Sequence, residues 1–303
     1  MKRSIIFLVV LVLGISAVFS QEELFKVLVM KGGNQVFRGE KWLPLATSAK
    51  IYRNEKIKVI DGGYLGLVTP TGKTTELPAA GVYDANTLSQ KLVAGTSSFV
   101  KKYANSLATD FSNSNVQGAQ RTNMGVTGSV ERGGGVQPVQ LFMPAMTKLY
   151  EDNLTIKWYS NKWADKNYSI TVKKIFADTI FQKVVADTLV TLSVTDLKLV
   201  PGQVYAITIA IKGVDKSYSN PMIIKVPNVA ERDTVNKELS QMMADMGKPN
   251  AMDQLILATY FEKNQMYTSA IIAYNKAIAM QPNIDYYKDA YQDFIDRNKI
   301  GAK

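Results

Sequence analysis

The chain contains neither cysteine nor histidine in 303 residues. Without cysteine there is no disulfide framework, no thiolate nucleophile or metal ligand, and no attachment site for a lipoprotein's lipid. Without histidine, Ser-His-Asp and Cys-His catalysis are excluded, as are imidazole acid–base chemistry near neutral pH and zinc sites built on imidazole. Disulfides and metals are not needed as staples, because a chain of this length with 46% hydrophobic residues can bury cores for two or three domains. Past the first twenty residues no apolar run approaches the ~18 residues of a membrane span. The formal charge of +10 is not gathered into a Lys/Arg block with interleaved aromatics. It reads as a solvated basic surface with at most a mild attraction to anionic envelope polymers, not as a nucleic-acid face.

Residues 1–20 have the form of an export signal. Lys2 and Arg3 precede an apolar run from Ile5 to Phe19, and Val18-Phe19-Ser20 offers small residues at the two positions a signal peptidase reads. The run is about 15 residues, short of the ~20 that cross a bilayer. Cleavage after Ser20 is therefore expected, with an uncleaved anchor as the alternative. Losing Lys2 and Arg3 takes the charge from +10 to +8. The expected location is the periplasm or cell envelope of a Gram-negative bacterium, with membrane association only through partners or an uncleaved signal.

Residues 21–111 read as a small β barrel or sandwich with helices. Val27-Leu28-Val29, Gln35-Val36-Phe37, Lys56 to Ile60 and Tyr64 to Val68 are short β-prone runs between Gly, Asn and Asp turns. From Asp84 to Phe111 the apolar residues Leu88, Leu92, Phe99, Tyr103, Leu107 and Phe111 recur at intervals near four, broken at Gly95, which predicts a helix pair folded onto the β unit. The order K-G-G, W-x-x-L, I-K-V, GGYLGLVTPTGKTTEL, G-x-Y is similar to FecR-like sensor domains of bacterial envelopes over about 60 residues. Residues 112–143 turn Ser-, Asn-, Gly- and Gln-rich and predict a flexible linker, although Val126, Val130 and Val136 leave a draped loop open.

Residues 144–227 return to strands that alternate faces, at Leu154 to Tyr159, Tyr168 to Val172 and Val204 to Ile209. With Trp158 in an early strand and Leu197 to Tyr205 forming the turn into a later one, this segment resembles a fibronectin type III domain. The resemblance makes Trp158 core filler and Tyr205 a hydroxyl tied to nearby backbone. Residues 228–303 read as all helical. Val235, Leu239, Met242, Met243 and Met246 share one face of a helix that Gly247 and Pro249 end.

Asp253 to Pro282 then places Leu257, Ala258 and Phe261 on one helix, and Ala270, Tyr274 and Ala277 on the next, with Pro282 after it. Small residues let two helices approach while aromatics fill between them. This spacing resembles one tetratricopeptide (TPR) repeat. A lone repeat cannot bury its apolar face, so the flanking helices are expected to cap it. The resemblance implies a protein-binding concave face on the first helix, offering Leu255, Thr259, Glu262 and Lys263, without the basic clamp of carboxylate-binding repeats. Ser269 is expected on the outer face.

Local matches to catalytic motifs are weaker than their structural readings. Gly66 to Thr74 has five residues between its glycines where a phosphate loop needs four, and no helix follows, so a strand, a turn and a returning strand explain it. Ser98-x-x-Lys101 lacks the companion elements of penicillin-binding enzymes. Three Asp-Thr-aliphatic segments, at Asp178, Asp187 and Asp233, resemble O-glycosylation acceptors. No catalytic, metal or cofactor residue is assigned. The sequence therefore predicts a multidomain, β-then-α, non-enzymatic scaffold that binds protein partners, not nucleic acid or nucleotide. The alternatives are a FecR-like signalling component and a carbohydrate-binding protein, the latter using Trp42 or Trp163 as an aromatic platform.

Overall fold

Eight short strands open the fold: β1 (Glu23–Lys31), β2 (Gln35–Arg38), β3 (Lys41–Pro44), β4 (Lys50–Tyr52), β5 (Lys56–Val59), β6 (Tyr64–Val68), β7 (Thr74–Leu77) and β8 (Gly81–Asp84). The computed structural model describes residues 22–92, 100–107, 139–160 and 167–301. The eight strands form two four-stranded antiparallel sheets, ordered β4-β1-β6-β7 and β3-β2-β5-β8, so the unit is a pair of sheets and not a closed barrel. Phe25, Val27, Ile51, Leu65 and Leu67 of the first sheet meet Val36, Ile57 and Val59 of the second. In β5, Lys56 and Lys58 are exposed while Ile57 and Val59 are buried, the alternation of a strand with one wet face. β6 does not alternate: all five of its residues are buried. Leu65 and Leu67 face the second sheet, whereas Tyr64 and Val68 belong to a separate core under the helices.

The expected helix pair divides between two cores. Helix α1 (Ala85–Lys91) starts at Asp84, whose carboxylate accepts the Thr87 N–H, and lays Ala85, Leu88 and Leu92 on the paired sheets. Helical residues 100–107, here α2, instead place Val100, Tyr103, Ala104 and Leu107 in the helical core. The leader and residues 112–138 of the expected linker lie outside the described residues, as do Trp163 and Ser98.

The second β unit comprises β9 (Gln140–Leu141), β10 (Met146–Lys148), β11 (Asn153–Tyr159), β12 (Tyr168–Lys174), β13 (Thr179–Val185), β14 (Leu189–Ser193), β15 (Val204–Ile211) and β16 (Met222–Lys225). A five-stranded sheet, β10-β16-β15-β12-β13, faces a three-stranded one, β14-β11-β9. Among the described strands only β10 and β16 run parallel. Trp158 is buried between the sheets with Tyr168 edge-on to it at 5.4 Å. The unit begins before residue 144, because β9 pairs with β11 and the buried Val139 and Met143 anchor it. The end of the expected linker is thus part of the sandwich.

Four helices follow: α3 (Val229–Met246), α4 (Ala251–Lys263), α5 (Tyr267–Met280) and α6 (Asp285–Arg297). Asn228 with Glu231, and Asn250 with Asp253, form reciprocal capping boxes at the starts of α3 and α4. Gly247, at φ +65°, ends α3 with its N–H on the Met243 carbonyl. Val235, Leu239, Met242 and Met246 of α3 pack inward as expected, but Met243 is exposed.

Candidate interaction site

Leu257, Ala258, Phe261, Ala270, Tyr274 and Ala277 are all buried in the helical core, and Pro282 is exposed in the turn before α6. The four residues expected to present a concave binding face do not form one. Leu255 is fully buried, and Thr259 is 3% exposed with its hydroxyl donating to the Leu255 carbonyl at 2.9 Å. Glu262 is engaged by Arg297 Nη2 at 3.0 Å and Asn298 Nδ2 at 2.9 Å. Of the four only Lys263 is exposed.

The cause is the environment of α4, every residue of which is buried from Ala251 to Phe261. Tyr103 of α2 stands edge-on to Tyr260 at 5.2 Å, and the Tyr260 hydroxyl donates to Glu238 of α3 at 2.7 Å. Tyr150, which follows β10, lies 6.2 Å from Phe261 and hydrogen-bonds Asn236 of α3. On the first sheet's side β6 comes close at Gly66. A Cβ there would collide with Met252 Sδ and stand 3.0 Å from Val29 Cβ. The face of α4 expected to bind partners is therefore filled by other parts of the same chain.

The contact between the first sheet and the helices also carries a polar network. The Thr74 hydroxyl donates to Asp253 Oδ1 at 2.5 Å and accepts from Asn250 Nδ2 at 2.9 Å, while Asp253 Oδ2 accepts the Asn250 N–H at 3.0 Å. Glu76 of β7 accepts from the Met252 N–H at 3.0 Å, from Gln281 at 3.1 Å and from the Tyr287 hydroxyl at 3.5 Å. The Tyr64 and Tyr287 hydroxyls share a bond of 2.7 Å. Burial pushes the Asp253 carboxyl up to about 6, against the lowering effect of its Thr74 and Asn250 bonds. Burial also raises both tyrosines well above their ordinary range; Tyr287 and Glu76 add to the rise at Tyr64, whereas at Tyr287 Glu76 adds to it and the bond with Tyr64 opposes it. Each Asp253 oxygen holds a donor from the protein, so the network joins the sheet layer to the helices.

A cleft of about 480 Å³ opens beside this network, walled by Lys73, Lys91, Lys248, Asp245 and Asp253. Its wall mixes charges of both signs and also includes Thr74, whose hydroxyl donates to Asp253. Among the described residues no cluster of acidic side chains has metal-binding geometry, and no helix is long and apolar enough to cross a membrane. The glycine pair resembling a phosphate loop forms β6, a turn in which Gly72 N–H meets the Thr69 carbonyl at 2.9 Å, and β7.

The sandwich contacts the helices at a second seam. Lys148 N–H donates to the Gln265 carbonyl at 2.8 Å, and Tyr267 N–H donates to Thr147 Oγ1 at 3.0 Å. Ser269, expected outside, is 1% exposed. Sequence reasoning missed both seams. The signals it could have used were the unalternating β6 run and the Asn250-x-x-Asp253 capping box, whose acid also serves Thr74. Trp42 is 36% exposed and pairs with Phe37 at 5.3 Å, with the Lys58 ammonium 5.8 Å from its ring. No protein-family model matches this chain, and no curated protein is significantly similar to it.

Proposed function

We propose that this protein is an exported, non-enzymatic scaffold of the cell envelope, in which a TPR-like helix pair binds the chain's own β units and leaves their outer surfaces for protein partners. The observation that carries this reading is α4, enclosed from Ala251 to Phe261 by the first sheet, α2, α3 and the Tyr150 segment. A helix pair of the kind that holds other proteins here holds two β units in a fixed relation. The sandwich reads as fibronectin type III-like, supported by the buried Trp158 and by the Tyr205 hydroxyl, which accepts the Val200 N–H at 2.8 Å. The paired sheets read as FecR-like on sequence order alone. The docking face moves from Leu255 and Thr259 to exposed positions such as Ile272 and Met280 on α5.

The test is site-specific photo-crosslinking in the envelope, with the probe placed in turn at Ile272, Met280, Val82 and Leu255. The scaffold reading expects discrete protein adducts from at least one exposed position and none from Leu255. Absence of adducts at every exposed position, or adducts from Leu255, would overturn it.

A further inference from the structure

The hairpin joining β12 to β13 closes with Ala177 N–H on the Lys174 carbonyl at 3.0 Å, and Phe176 occupies its tip. Two costs coincide there. Phe176 adopts φ +61°, a left-handed conformation that bulky side chains avoid and that Gly or Asn would take with less strain. Phe176 is also 105% exposed, the most exposed large apolar residue among the described residues. Folding gains nothing from an aromatic group at this position.

The tip belongs to a larger apolar and basic end of the sandwich. Ile175 N–H donates to the Val204 carbonyl at 3.1 Å, which ties the hairpin to the start of β15, where Tyr205 anchors the preceding loop through Val200. Val200 is 55% exposed, and Lys173, Lys174 and Lys198 are exposed around this end, against Asp178 and Asp196.

We propose that this end of the sandwich docks on an anionic lipid surface, with Phe176 and Val200 entering the boundary between headgroups and acyl chains and the three lysines meeting lipid phosphates. The shape favours lipid over a protein groove. A convex tip needs no complementary pocket in a fluid interface, and lysine stems can lie along it while their ammoniums stay in water. One aromatic anchor with a few lysines gives weak, reversible, salt-sensitive association. This inference goes beyond the scaffold reading and does not depend on it.

The test is co-sedimentation of the chain from residue 21 onward with vesicles mixing phosphatidylcholine and phosphatidylglycerol, compared with phosphatidylcholine alone. Wild-type protein should bind the mixed vesicles and lose binding as salt rises. Phe176→Ala should weaken binding about tenfold, a difference of ~1.4 kcal/mol, whereas Phe176→Trp should retain it. Phe176→Gly should bind as poorly as the alanine variant while melting at a higher temperature, since glycine accepts this φ, which separates lost docking from lost folding. Lys174→Glu with Lys198→Glu should weaken binding to the mixed vesicles. No binding by wild-type protein, or equal binding by Phe176→Ala, would overturn the proposal. So would a protein adduct from a crosslinker at Phe176 together with no vesicle binding.

Discussion

Replacing Asp253 with asparagine tests the seam between the first sheet and the helices. Asp253 is buried with one donor on each oxygen, and its carboxyl is pushed from its ordinary 3.8 up to about 6. The folded value lies above the unfolded one, so Asp253 stabilises the fold most below pH 3.8 and loses that contribution as pH rises through about 6. A difference of roughly two pH units at 1.36 kcal/mol each gives about 3 kcal/mol between the two ends of that window. Asparagine imitates the protonated acid in shape and keeps one acceptor and one donor for Asn250 and Thr74, but it does not titrate. Asp84, lowered by its Thr87 bonds, and Glu231, lowered chiefly by Lys225, act in the opposite sense in both proteins and cancel in the comparison. Denaturant unfolding of both proteins from pH 3.5 to 7.5 should show Asp253→Asn gaining about 3 kcal/mol relative to wild type, with most of the change between pH 4 and 6. Parallel stability curves across that window would refute the reasoning and mean that water or relaxation solvates the carboxylate.

Gly66→Val should push β6 away from Met252 at a cost of about 1 to 3 kcal/mol or more, and segment-resolved hydrogen exchange should show β6 and α4 losing protection together. Ala270→Leu, at a fully buried position of α5, should cost a similar ~1 to 3 kcal/mol and raise exchange across residues 229–301, whereas Lys276→Leu on the exposed side of α5 should change thermal stability little. Ser269→Leu should behave like the alanine replacement and not like the lysine one, because Ser269 is buried. Tyr205→Phe removes the acceptor for the Val200 N–H and should cost about 1 to 3 kcal/mol by denaturant unfolding, with the chain still folded.

Much of the local architecture was legible from residue order. Alternation in Leu154 to Tyr159 and Val204 to Ile209 reports a strand with one apolar face, and both became half-buried strands. The Tyr205 contact was expected only through the fibronectin type III resemblance, and its hydroxyl does accept the Val200 N–H. The packing residues of the helix pair were legible because small and aromatic residues at helical spacing have few other uses, and all but Pro282 are buried.

Ser269 was misplaced because hydroxyl polarity outweighed small size, and at a tight seam small size decides. Leu255 and Thr259 were placed outward by the geometry of an open repeat. Yet Leu255, Ile256, Leu257 and Ala258 are consecutive, and a helix apolar on all sides is one with neighbours on all sides. Residue order by itself determined a β-then-α chain, and the apolar run through α4 and the unalternating β6 carried a need for cover that the sequence reading did not draw. Which elements cover them is a matter of contacts between segments far apart in the chain, such as Gly66 with Met252, Thr74 with Asp253 and Thr147 with Tyr267. No periodicity encodes such pairings, because burial depends on what the folded chain brings alongside, and only the tertiary structure decided that the helix pair's inner face belongs to the protein itself.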